Sequence, residues 1–192
     1  MSAQFVAHVL SFCLGKGDIA LKGSRKRPWL ELCRTETERV YLGSQVYQLR
    51  QAHPGPLEIF WDRLPTNGFY DLDRARIQTD ELWRAYDLLY PRDERTLSRG
   101  VLDLCGLSGL VNLWLDHGTL VGRTGEIRKR MSPDEKTLLA AWISDLGFPV
   151  DMPRTQASQK LIIPPASMHR LKKSMRPLVH GTMRHKLRSK VS

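Results

Sequence analysis

A chain of 192 residues that is 41% hydrophobic can bury a core, as one domain or as two small halves packed together, and this excludes a disordered protein. No apolar run reaches the roughly 18 residues that span a bilayer, so no membrane partner is expected, and the N-terminus lacks the basic region of a signal peptide. The net charge is +10, and the excess sits at one end: residues 1–151 balance 20 Lys and Arg against 20 Asp and Glu, whereas 152–192 hold ten basic residues and no acid, beside His169, His180 and His185. Such a segment is the electrostatic footprint of a polyanion, which makes nucleic acid the expected partner.

In chain order, residues 4–14 read as a helix apolar nearly all round, stopped by Gly15 and Gly17. Strands over 18–22 and 28–34 follow, joined by the basic turn Lys22 to Arg27. Thr35 to Gln51 reads as a helix with Thr35 or Thr37 as N-cap and Val40, Leu42, Val46 and Leu49 on its apolar side. Leu57–Trp61 and Phe69–Leu72 form an expected hairpin around Pro65-Thr66-Asn67-Gly68, and Thr79–Tyr90 an expected helix stopped by Pro91. Asp71 and Asp73 read as a solvated strand face, His8 as a packed histidine, and Trp61, Trp83, Trp114 and Trp142 as core. Trp29 is a candidate to stack on a base.

The order then repeats. An apolar helix over 102–115 ends at Gly118, and strands over 119–121 and 126–130 flank Gly122-Arg123-Thr124-Gly125. Ser132-Pro133-Asp134-Glu135 carries a cap, a first-turn proline and acids, and opens a helix to Asp145. Strands over 149–152 and 159–163, a helix over 165–178 and a short basic helix near 181–190 complete the chain. Two halves, 1–100 and 101–192, with one element order imply duplication about a pseudo-twofold within one compact unit. Cys13, Cys33 and Cys105 are odd in number and lack zinc spacing, so they read as reduced core thiols. The expected setting is a reducing intracellular compartment, with mitochondrion, chloroplast and bacterial or phage cytoplasm all open.

Leu10 to Asp18 and Leu110 to Gly118 are paired apolar helix ends. With Ile127–Ser132, Lys160–Pro164, and Pro177, His180, Met183 and Lys186-Leu187, their order and spacing resemble the LAGLIDADG homing endonuclease family in its single-chain, two-repeat form. That resemblance implies an α+β fold of two pseudo-symmetric αββαββα repeats, a single-chain pseudo-dimer with sheets in the DNA major groove. It also implies an acid before each motif glycine to hold Mg²⁺. Here those positions are Lys16 and His117. A lysine ammonium has no lone pair for Mg²⁺, and histidine prefers softer metals.

No catalytic or metal-ligating residue is therefore assigned, no cofactor is expected, and the chain reads as a non-enzyme that binds nucleic acid. The expected contacts are Lys22, Arg25, Lys26 and Arg27 in the first half, and Arg123, Arg128, Lys129, Arg130, Arg154 and Lys160 in the second. Lys172, Lys173, Arg184, Lys186, Arg188 and Lys190 lie along a basic terminus that would grip the backbone. The partner stays open between DNA, as for a repressor, and RNA, as for an intron maturase or a component of a ribonucleoprotein such as an organellar ribosome, with other proteins of that particle. The alternative is a Mg²⁺-dependent endonuclease or nickase with a shifted site. Asp18 and Asp116 would then rescue the chemistry, although Asp116 sits one residue and roughly 100° around the helix from the expected position.

Overall fold

The computed structural model describes residues 2–65, 71–152 and 160–188. The chain divides into two compact units, Met1–Thr96 and Leu97–Ser192. Among the described residues no helix is long and apolar enough to cross a membrane.

The first unit opens with α1 (Ala3–Leu14), capped by the Ser2 hydroxyl, which accepts from the Phe5 amide at 3.3 Å. Residues from Phe5 to Leu14 are buried except Ala7 and His8, as its all-round apolar character requires. The chain leaves the helix through a tight bend in which the Gly17 amide donates to the Phe12 carbonyl at 2.9 Å. A Cβ at Gly17 would lie 2.9 Å from the Phe12 backbone and 3.1 Å from Leu32, so the close approach requires glycine. The hairpin of β1 (Asp18–Lys22) and β2 (Arg27–Thr35) follows.

Glu36–Glu38 form a 3₁₀ turn, and α2 spans Arg39–Ala52. The expected helix start at Thr35 is thus displaced: the Thr35 hydroxyl caps no backbone amide and instead lies 3.0 Å from that of Thr37. Leu42, Val46 and Leu49 are buried as expected, but Val40 is exposed, because at about 100° per residue it lies on the side of the helix opposite the buried stripe of Tyr41, Leu42, Gln45, Val46, Leu49 and Ala52. After β3 (Glu58–Leu64) and β4 (Leu72–Gln78), α3 (Leu82–Leu89) closes the unit. The four strands form an antiparallel sheet in the order β1-β2-β4-β3, with α2 and α3 on one face.

Among the described residues the second strand of the β3–β4 hairpin spans 72–78, running on past the expected end at Leu72; Thr66 to Gly68 of the expected turn, and Phe69 and Tyr70 of the expected strand, fall outside the described residues. With that register Asp73 faces the helix side and is buried, which corrects its reading as a solvated residue. Its opposite partner on β2 is the buried Arg34. Trp61 and Trp83 are corrections too, both being exposed, whereas Trp114 and Trp142 are core.

The second unit opens with α4 (Arg99–His117), capped by Ser98 and broken at Gly106, whose φ of 49° interrupts the helix. The strands β5 (Gly118–Val121), β6 (Thr124–Arg128) and β7 (Lys160–Ile163) form a three-stranded antiparallel sheet. Between β6 and β7 lies α5 (Pro133–Asp145), whose start matches its sequence signals. The Ser132 hydroxyl accepts from the Glu135 amide at 3.2 Å, and the Ser132 amide donates to the Glu135 carboxylate at 2.9 Å.

The expected strand over 149–152 reduces to one bridge between Asp151 and Ile162. Helix α6 (Pro165–Met175) ends three residues before its expected end, and the basic helix near 181–190 is a 3₁₀ turn over Gly181–Leu187. Along the described part of the basic terminus, Met168, Leu171, Met175, Val179, Met183 and Leu187 bury the apolar side. Its basic residues are left on the outer face.

Candidate nucleic-acid interface and carboxylate sites

Period-two alternation sorts the first sheet into two faces. The face opposite α2 and α3 carries Lys22, Trp29, Glu31, Phe60, Asp62, Arg74 and Arg76, in cross-strand register: Glu31 lies opposite Arg76, Phe60 opposite Arg76, and Asp62 opposite Arg74. The Arg74 guanidinium grips the Asp62 carboxylate through two hydrogen bonds of 2.8 and 2.6 Å. Arg76 approaches the same carboxylate at 3.2 Å, Glu31 lies 3.6 Å from Arg74, and Glu31 also pairs with Lys22. The Arg74 hydrogen bonds hold the Asp62 carboxyl below the usual carboxylate range. Trp29 lies on this face, with its ring 5.4 Å from that of Phe60 and 5.8 Å from the Arg76 guanidinium.

The open face of the second sheet repeats the device. Glu126 is only 7% exposed and accepts hydrogen bonds from Lys160 at 2.7 Å and from Arg128 at 2.6 and 2.9 Å. Lys160 first, then Arg128, hold its carboxyl below the usual range. A carboxyl depressed in the folded state stabilises the fold above its unfolded pKa of about 4.3 and loses that contribution as pH falls through the folded value. The melting temperature should therefore drop as the solution is acidified below about pH 4.3, and Glu126→Gln should flatten that part of the profile. An unchanged acid limb in Glu126→Gln would show that other carboxyls carry it.

Of the expected contacts, the structure brings Arg128 and Lys160 together around Glu126, and places Lys22 in the first sheet's charge row. Arg25 and Lys26 are exposed on the β1–β2 turn, where Lys26 adopts a φ of 46°, and Arg27 is exposed at the first position of β2. Arg123 is exposed on the β5–β6 turn, and Lys129 and Arg130 lie past the end of β6. Lys172 and Lys173 are in the last turn of α6, where cations complement the helix dipole. Arg184 and Arg188 are exposed and Lys186 is half-buried, its carbonyl accepting from the Trp114 indole at 3.2 Å. Arg154 and Lys190 lie outside the described residues. Sequence reasoning missed Arg74 and Arg76, although the alternation in Asp73-Arg74-Ala75-Arg76-Ile77-Gln78 was the available signal.

At the first motif, Lys16 is exposed in the turn after α1, and Asp18 is exposed at the first position of β1. The Tyr90 hydroxyl donates to Asp18 Oδ1 at 3.0 Å, and the Arg95 guanidinium lies 3.8 Å from the same oxygen. Arg95 also donates to the Cys13 carbonyl at the end of α1 at 2.6 Å, tying the segment after α3 to this helix end. Burial, then the Asp18 charge, push the Tyr90 hydroxyl up, so it stays a donor. At the second motif, Asp116 and His117 are half-buried in the last turn of α4.

Among the described residues no three His, Cys, Asp or Glu side chains converge as a metal cage. Mg²⁺ keeps several waters and is held by one or two carboxylates together with substrate phosphates, and an exposed carboxylate oriented through one oxygen is such a donor.

No family model and no curated protein matches the sequence. Solved structures do. The homing endonuclease I-WcaI bound to its DNA recognition sequence superposes with a TM-score of 0.76 at 12% identity, over 100% of this chain and 89% of that one. I-DmoI in complex with DNA and Ca gives 0.57 at 12% identity, over 90% and 89%. I-DmoI with DNA and Mn gives 0.57 at 13% identity, over the whole of both chains.

These neighbours overturn the expectation of a non-enzyme: they are homing endonucleases, and nothing in the fold marks this chain as inactive. The expectation of no cofactor is likewise unsupported, since the I-DmoI complexes hold Ca or Mn. The bound partner in them is DNA, and RNA-binding, maturase and ribosomal roles find no support there. Identities of 12–13% establish the architecture alone: the chain has the fold of the LAGLIDADG homing endonucleases.

Proposed function

We propose that the chain binds duplex DNA and cleaves or nicks it at specific sites with a divalent metal ion, using Asp18 and Asp116 in place of the acids expected at positions 16 and 117. The observation that carries this reading is the Asp18 carboxylate, exposed beside the α1 terminus and oriented by Tyr90 and Arg95. The likeness to I-WcaI bound to DNA supports the choice of partner.

In this reading Asp18 would hold the metal in the first unit and Asp116 in the second. When bound, Mg²⁺ supplies Lewis-acid activation of a phosphodiester and of water. The chain's own residues do the rest. Tyr90 donates to Oδ1 of Asp18 and so fixes the carboxylate's rotation. Arg95 and the exposed Lys16 place positive charge where phosphate charge builds up. The cations of the β1–β2 and β5–β6 turns contact backbone phosphates and set the register.

The test is nicking of a randomised plasmid library with Mg²⁺ or Mn²⁺ present and after chelation. Wild-type protein should nick in a metal-dependent way, and Asp18→Asn should lower the rate about 100-fold or more, as loss of an oriented active-site group does. Absence of metal-dependent nicking by the wild type, or full activity in the Asp18→Asn and Asp116→Asn double variant, would overturn the reading.

A further inference from the structure

At the edge of the first sheet, strand β3 and the start of α2 leave a cleft of about 310 Å³ lined by Arg39, Trp61, Asp62, Arg63 and Asp73. That volume is at the lower end of small-molecule sites, roughly 300–1,000 Å³. Asp73 forms its floor and is 8% exposed. Its Oδ2 is buried and has no hydrogen-bond partner among the described residues. Arg39 stands 3.8 Å from Oδ2 and Arg63 stands 3.6 Å from Oδ1, distances that give charge attraction without a hydrogen bond.

A buried carboxylate oxygen without a donor carries a desolvation cost that a ligand N–H would remove. Trp61 forms one wall. It is 51% exposed, which is unusual for an indole on the covered side of a sheet, and it offers a flat apolar face. The Arg39 side chain is 70% exposed at the mouth.

These three features define one ligand chemistry: a planar aromatic group with two adjacent N–H donors on one edge and an anion at the other end. We infer that the cleft binds the guanine base of a nucleotide, with Asp73 accepting from N1–H and the N2 amino group, Trp61 stacking on the ring, and Arg39 meeting the phosphate. Adenine fits poorly, because its N1 lone pair would face the carboxylate. Hypoxanthine keeps N1–H but lacks the N2 donor. Nothing in this assignment requires DNA cleavage, so it stands or falls separately from the endonuclease reading.

Titration calorimetry on the full chain tests it, with GMP, IMP, AMP and inorganic phosphate as probes. GMP should bind about tenfold or more tightly than AMP, with IMP between them, as expected for hydrogen bonds to a charged acceptor. Trp61→Ala should weaken GMP about tenfold through lost stacking. Asp73→Asn should remove the preference for GMP over AMP; if that variant fails to fold, the IMP series and Trp61→Ala decide. A short single strand with one guanine among thymines distinguishes the sources. Tighter binding of the strand than of GMP assigns the site to an unpaired guanosine in nucleic acid, and equal or weaker binding to a free nucleotide. Equal affinity for GMP and AMP, no detectable GMP binding, GMP binding unchanged in Trp61→Ala, or phosphate alone matching GMP would each overturn the inference.

Discussion

Trp114→Ala is expected to cost the second unit about 3–5 kcal/mol, the largest stability loss of any single truncation in that unit. The side chain is completely buried, and its indole N–H donates to the Lys186 carbonyl at 3.2 Å, pinning the 3₁₀ turn that closes the chain. The ring lies over two glycines. A Cβ at Gly118 would overlap it, and a Cβ at Gly125 would come within 3.0 Å of it and 2.5 Å of Met168 Sδ. The helix end, β5 and β6 therefore meet around one indole.

Removing the indole leaves a cavity and an unsatisfied carbonyl, and total stabilities run only about 5–15 kcal/mol. Gly118→Ala attacks the same contact by overpacking and should cost about 1–3 kcal/mol. Urea titrations followed by circular dichroism measure both. A loss below about 1 kcal/mol in Trp114→Ala would show that the site collapses around the cavity.

Arg74→Ala should produce the largest change in DNA affinity, about 10- to 100-fold at low salt. The reason is that the row loses its excess positive charge and frees a carboxylate, more than the loss of one contact. Arg74 neutralises Asp62 through two hydrogen bonds and also faces Glu31. Without it, two carboxylates stand on the open face of the first sheet with only Lys22 and Arg76 to balance them. Adding Asp62→Asn to Arg74→Ala should therefore recover part of the affinity, which loss of a simple phosphate contact would not allow. Fluorescence anisotropy across a salt series reads the effect. Arg74→Ala affinity equal to wild type, alongside a loss in Lys26→Ala, would confine the interface to the turn.

Much of the first unit could be read locally. Gly15 and Gly17 stop α1, and the β1 and β2 boundaries match to within a residue, because each depends on signals only a few positions long. Ser132 and Glu135 start α5 for the same reason. Strand β4 was misplaced because its pattern, Leu72 to Gln78, is built of charged residues that alternate without apolar bulk on both faces. Trp61 and Val40 were misread because apolar character says nothing about whether another element covers that side of a strand or helix.

The sequence by itself determined the scaffold and the partner's charge: two sets of helix–hairpin elements, their end signals, a buried apolar α1 and α4, and an acid-free basic terminus. These depend on periodicity and composition, which act over neighbouring residues. Only the tertiary structure decided what surrounds each carboxylate. Asp18 meets Tyr90 across 72 positions in the chain, and Lys160 reaches Glu126 across 34. Asp73 was turned from solvent to the floor of a cleft by the register of β4. A shift of one residue in a strand exchanges its faces, so no local pattern can specify which acid is paired, buried or left open to a ligand.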